Sequence, residues 1–145
     1  MPQIYDILMQ EHREVEQLLN QVTQGTPDQQ QIEHLYKMLE AHTHAEEQTL
    51  YQDLQEAAQT HEIVLEAIEE HHVADMLLKE IRTLKPTDER VAAKLTVLKE
   101  NVLHHVQEEE QQMFPKAKQV MDDQWAEKMG QQFHQAEQQL KQTMS

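Results

Sequence analysis

One pattern occurs twice in this chain, and it narrows the possible folds more than any other feature. His42-Thr43-His44-Ala45-Glu46-Glu47-Gln48-Thr49-Leu50-Tyr51 returns as His105-Val106-Gln107-Glu108-Glu109-Glu110-Gln111-Gln112-Met113-Phe114. In register, His105 falls on His42, Glu109 on Glu46, Glu110 on Glu47, Met113 on Leu50 and Phe114 on Tyr51. A histidine and a carboxylate four residues apart lie one turn from each other on a single helix face, so each copy can present an imidazole and a carboxylate to one ion. Two copies imply two ions.

Each copy has an upstream companion. Glu11-His12-Arg13-Glu14-Val15-Glu16-Gln17-Leu18-Leu19 matches Glu70-His71-His72-Val73-Ala74-Asp75-Met76-Leu77-Leu78. His12 and His71 are 59 positions apart and His42 and His105 are 63 apart, so the chain reads as a doubled helical hairpin with a short insertion in its second connection.

Composition supports an all-α reading. Two glycines, four prolines and few aromatics accompany an abundance of Gln, Glu, Leu, Ala, Lys and Met, without the apolar–polar alternation of strands. The 145 residues suffice for a single domain with one continuous core. A formal charge of −15 repels phosphate backbones and anionic lipid, which argues against nucleic acid and membrane surfaces as partners. Ten histidines are the oddity, because imidazole is the commonest metal ligand. The lack of cysteine excludes disulfides and thiolate sites and fits a reducing compartment, so a cytoplasmic location is expected. Neither a signal peptide nor a bilayer-length apolar span is evident.

Taken in order, Pro2 suits a first helical position, and Ile4, Leu8, Val15, Leu19 and Val22 form a stripe that includes His12 and ends near Gln24. Thr26 is expected to cap the next helix, with Pro27 in its first turn, and that helix is expected to run unbroken from Asp28 to Ala58. Thr60 is placed as the cap of a third helix from His61 to Leu84. After Lys85-Pro86-Thr87-Asp88 a fourth helix carries Val91, Leu95, Leu98, Val102, His105, Glu109 and Met113, which Pro115 ends or kinks. Short connections make these four an up-down-up-down bundle spanning residues 3 to 121. Trp125, Met129, Phe133, Ala136 and Leu140 then describe an additional C-terminal amphipathic helix over residues 123 to 143, which covers a flank of the bundle or forms a dimer contact. A monomer or weak homodimer is expected.

Helical phase separates inner from outer histidines. His105 shares its face with Leu98, Val102 and Met113, and His42 with Leu35, Leu39 and Leu50, whereas His104 and His44 lie among charged residues and should be solvated. His12 sits between Leu8 and Val15. His71 lies among Val64, Ile68, Ala74 and Leu78, and its neighbour His72 is the alternative; the repeat favours His71. His34, His61 and His134 match no repeat position and read as surface residues. Burying two carboxylates and four imidazoles without a cation would cost ~2 to 7 kcal/mol for each unsatisfied polar group. Two histidines per ion, with Glu46 and Glu109 bridging, remove that cost and leave room for a small exogenous ligand. By chemistry alone such an N/O site suits iron, manganese or zinc.

The paired H-x-x-x-E-E-x-x-[LM]-[FY] motifs, each with an E-H on the preceding helix, resemble the hemerythrin-like (HHE cation-binding) family over residues 3 to 121. The resemblance implies a non-haem di-iron centre, carboxylate- and oxo/hydroxo-bridged, with His12, His42, Glu46, His71, His105 and Glu109 as metal ligands. Asp75 follows His71 at the position where oxygen-carrying members of the family have a further histidine, so simple reversible oxygen carriage is not expected. The ferritin-like alternative needs two Glu-x-x-His segments, and only Glu69-Glu70-His71-His72 offers that spacing.

Three functions fit such a centre. The first is a protein that senses or buffers O2, NO or peroxide. The second is a peroxide-consuming, catalase-like enzyme. The third is iron handling, or a structural metal that tightens the bundle. Tyr5 lies two turns before His12 on the same face and is a candidate neighbour of the site, with a core role as the plainer alternative.

Overall fold

The computed structural model describes residues 1–144, and all regular structure among them is helical. The elements are α1 (Ile4–Thr23), α2 (Gln29–Gln48), α3 (Leu50–Glu56), α4 (His61–Thr83), α5 (Glu89–Glu108), a π-helical turn (Glu109–Met113), α6 (Phe114–Val120) and α7 (Asp123–Thr143). Helix α1 packs on α2 and α5, and α4 packs on α2 and α5, which closes a ring of four. Helix α7 lies along α1 and α2 as an outer layer. No helix is long and apolar enough to cross a membrane among the described residues.

Local chemistry sets the helix ends, in some places differently from expectation. The cap of α2 is Asp28, not Thr26. Its carboxylate accepts from the Gln31 N–H at 2.8 Å while the Gln31 side chain accepts from the Asp28 N–H at 3.0 Å, a reciprocal pair that leaves Pro27 outside the helix. Pro2 also stays outside, since α1 begins at Ile4 with Gln3 as its N-cap. The long second helix is interrupted at Thr49, whose backbone turns to φ −121°, ψ −101° while its hydroxyl donates to the Ala45 carbonyl at 2.6 Å. Such back-bonding by threonine competes with the helical ladder. Thr60 takes the N-cap position of α4 as expected, but its side chain makes no capping bond. Its hydroxyl donates backwards to the Leu54 carbonyl and ties the end of α3 to the start of α4.

Pro115 neither ends nor sharply breaks the fourth helix. It lacks an N–H, and its ring would crowd the carbonyl four residues back. The chain absorbs this by widening one turn, so that the Phe114 N–H bonds to the Glu109 carbonyl and α6 continues beyond. The break at Thr49 comes three residues after Glu46, and the π turn begins at Glu109, the equivalent glutamate of the other repeat.

Two apolar clusters fill the bundle. One gathers Leu8, Ala45, Ala67 and Met113 with α3, α6 and α7, and the other gathers Val15, Leu39, Ala74 and Val102 toward the opposite end. Near the boundary between the two clusters, each of the four bundle helices places a histidine: His12, His42, His71 and His105. A polar layer thus crosses the middle of an otherwise apolar core. Helix α7 buries Ala126, Met129 and Phe133 against this bundle, which settles its stripe as a flank cover.

Candidate metal centre

All six residues singled out by the repeat are brought together, with exposures from 0% for Glu46 to 7% for His105. The histidine Nε2 atoms point at the two glutamates. His12 Nε2 lies 3.1 Å from Glu109 Oε1, His105 Nε2 lies 3.3 Å from Glu109 Oε2, and His42 and His71 Nε2 lie 3.4 and 3.2 Å from Glu46 Oε1. His12, His42, Glu46 and Glu109 form one compact donor group, and Glu46, His71 and His105 form a second that shares Glu46. His72 is exposed and does not reach the centre. His44 and His104 are also outside it, with side chains 46% and 61% exposed.

Every inner imidazole is held from behind by a carboxylate. Nδ1 of His12 meets Glu110 at 2.6 Å, that of His42 meets Glu11 at 2.8 Å, that of His71 meets Glu47 at 2.7 Å and that of His105 meets Glu70 at 2.8 Å. The pattern has the pseudo-twofold symmetry of the repeat. The glutamate before each helix-opening histidine (Glu11, Glu70) holds the next histidine of its own hairpin, and the second glutamate of each Glu-Glu pair (Glu47, Glu110) reaches into the other hairpin. The E-H and E-E pairs of the sequence therefore carry a role that residue spacing alone did not reveal. A carboxylate on Nδ1 fixes ring orientation and leaves Nε2 to act as donor.

The groups fit a cation. His12 Nε2, both oxygens of Glu46 and Glu109 Oε1 are buried without a hydrogen-bond partner. His71 Nε2 and His105 Nε2 face each other at 3.2 Å. Orphaned acceptors converging in an apolar core are costly unless a positive charge sits among them. Without one, protons serve. Burial opposes charge on His105, but hydrogen bonds to Glu109 and Glu70 outweigh it and push its pKa up to about 10. His42 is likewise held well above its ordinary value, the charge of Glu46 and the hydrogen bond to Glu11 overcoming burial. Burial would raise Glu109, yet the close approach of the His105 and His12 imidazoles holds it well below the carboxylate range.

The repeat set Tyr51 opposite Phe114 without giving it a role, and Tyr51 joins the site directly. Its hydroxyl donates to Glu109 Oε2 and lies 3.4 Å from His105 Nε2, and its ring stacks on His71. Burial, together with the negative charges of Glu109 and Glu46, raises this phenol well above its usual value, so it keeps its proton. Its hydroxyl was the available signal. Tyr5, the tyrosine proposed as a neighbour, packs against Phe114 instead, with its hydroxyl unpartnered. Asp75 pairs with Lys79 at 2.9 Å and does not belong to either inner donor group.

A cavity of about 20 Å³ abuts the centre, bounded by the four histidines and by Val15, Leu39, Ala74, Val102 and Val106. That is space for about one water-sized molecule, and Thr43, Glu70 and Asn101 complete the wall.

Residues 3–117 match the family described as the hemerythrin HHE cation binding domain. No curated protein and no solved structure matches the chain.

Proposed function

Because the chain belongs to the hemerythrin HHE cation-binding domain family, we propose that it is a non-haem di-iron protein that takes up and reacts with a small oxygen species: O2, NO or peroxide. His12 and His42 would hold one iron and His71 and His105 the other, with Glu46 and Glu109 shared between them. The observation that carries this reading is the set of four Nε2 atoms directed at two buried carboxylates whose oxygens are largely orphaned, each imidazole braced by its own outer glutamate. All-nitrogen-and-oxygen donors of this kind suit iron. Bound there, the iron pair supplies the electrons for reducing or binding the oxygen species.

The chain's own residues do the rest. The cavity has room for a molecule of one or two heavy atoms, and Val15, Leu39, Ala74, Val102 and Val106 give it an apolar side that disfavours larger anions. Glu11, Glu47, Glu70 and Glu110 hold each imidazole in one tautomer. Tyr51 holds a proton beside Glu109 and His105. That proton favours a second reading, a peroxide-consuming enzyme, because a departing oxygen needs one in the transition state.

Anaerobic loading with Fe(II) tests the first reading, with about two ions expected per chain, one for each half of the repeat. Saturation at one ion or none would refute it. Mixing the loaded, reduced protein with O2 and then purging with argon separates the outcomes. A spectrum that stays oxidised supports reaction, and its return on purging alone would make the protein a carrier. Sustained O2 release from added hydrogen peroxide, lost in Tyr51→Phe, would select the enzyme.

A further inference from the structure

Helix α7 lies outside the matched residues 3–117, yet it reaches the centre. Phe133, fully buried, sets the edge of its ring against the His42 imidazole, with centroids 5.8 Å apart at 75°. Four residues on, Glu137 is 5% exposed, and its carboxylate comes within 4.8 Å of the His42 imidazole and of Glu11, the carboxylate that holds His42 Nδ1. Glu11, His42 and Glu137 form a compact donor group of their own.

Among the described residues the other half of the repeat has no buried counterpart from an outer helix; there Glu70 is grouped with the exposed His104 and with Glu108 of α5 itself. Glu70, which holds His105, turns its second oxygen toward the exposed His104 at 3.6 Å, and among the described residues no outer helix covers α4 and α5 as α7 covers α1 and α2. Docking of α7 is close and specific. Gly130 brings its backbone against the start of α1, where an added Cβ would meet the Pro2 carbonyl oxygen at 2.8 Å, and Trp125 Nε1 donates to Asp53 at 2.7 Å.

We propose that Glu137 is a positioning residue for the His12/His42 half of the centre, fixing Glu11 and through it His42, so that α7 makes the two ion positions unequal. This rests on the two-ion reading above.

The test is a titration of the full metal-free chain with Co(II), followed by the visible absorbance of the bound ion. Glu137→Asp, one methylene too short to reach Glu11, should weaken one of the two ions by about tenfold or more, the scale of losing an outer partner of a ligating imidazole, and leave the other within about twofold. Glu137→Gln, whose amide can donate to Glu11, should keep both affinities. Equal weakening of both ions in Glu137→Asp, no change in either, or a Glu137→Gln protein as weak as Glu137→Asp would each overturn the proposal. A wild-type chain that binds fewer than two Co(II) would instead refute the two-ion reading beneath it.

Discussion

Tyr51 and Phe114 occupy equivalent places in the two halves of the chain, and each ring lies nearly parallel to an imidazole: Tyr51 over His71 at 18° and Phe114 over His12 at 9°. Only Tyr51 carries a hydroxyl, and it donates that hydroxyl across the centre to Glu109. A near-symmetric site is thereby made chemically one-sided. On the Phe114 side the wall is apolar; on the Tyr51 side a proton is kept beside the shared carboxylate.

Tyr51→Phe should give the His71 side of the centre the same apolar ring that Phe114 gives the His12 side. The ring stacking on His71 survives, and one charge-assisted hydrogen bond to a buried carboxylate is lost, which costs about 1.5 to 3 kcal/mol in the metal-free protein. Urea unfolding of the metal-free variant reads this directly. An unchanged midpoint would mean that Glu109 gains nothing from the phenol.

The outer carboxylates and the outer histidines should behave oppositely. Glu47→Gln and Glu110→Gln each remove the charge behind an inner imidazole, and metal affinity should fall by roughly 10- to 100-fold. His44→Ala and His104→Ala lie on exposed faces and should leave the ion count unchanged. Metal analysis after equilibrium dialysis measures all four. Loss of metal from either alanine variant as complete as from His42→Ala would contradict the facial assignment.

The inner histidines were legible in the sequence because helical phase needs only a run of neighbours: Leu98 and Val102 on one face of α5 suffice to turn His105 inward. The bundle followed from the same stripes and from short connections. What the phase could not supply was any contact made between helices. Glu47 and Glu110 look like solvated residues within their own helices and acquire partners only when the hairpins dock. Helix ends were less legible still: Thr49 gave no sign of a break, the Thr60 hydroxyl bonds back to Leu54 instead of forward into α4, and the π turn absorbs Pro115. Helix α7 read as a flank cover, and its stripe of Trp125, Met129 and Phe133 gave no sign that Glu137 reaches toward His42.

Gly130→Ala should loosen that cover. The added methyl has the Pro2 carbonyl oxygen at 2.8 Å and Ile7 Cδ1 at 3.1 Å, and a backbone oxygen cannot swing aside as a side chain can. Overpacking of this kind costs typically ~1 to 3 kcal/mol, against a helix-propensity gain of less than about 1 kcal/mol for alanine over glycine. A thermal midpoint that rises in the variant would mean the contact is softer than the geometry indicates.

Loading the centre should release protons, and the metal-free protein should show it in its pH dependence. His42 and His105 are both held protonated above their ordinary range by the carboxylates around them, and a metal requires the neutral imidazole. Zinc binding near neutral pH should therefore release about two protons per chain, countable with a weakly buffered indicator. The sign for folding follows from the same shifts. A histidine raised from 6.5 to about 10 on folding contributes stability that is complete below about pH 6.5 and is lost as the pH climbs toward 10. Glu40 and Glu137, each pushed up to about 8 by burial and a neighbouring carboxylate, add a loss of the same sign. Glu109, held low, acts in the opposite direction and only in acid. The melting temperature of the metal-free chain should thus fall from about pH 6.5 to 9.5, while the gap between it and the zinc-loaded chain widens, because fewer protons compete with the metal. Paired thermal melts across that window decide it. A metal-free midpoint that climbs with pH, or zinc binding that releases no protons, would mean the imidazoles are neutral before the metal arrives.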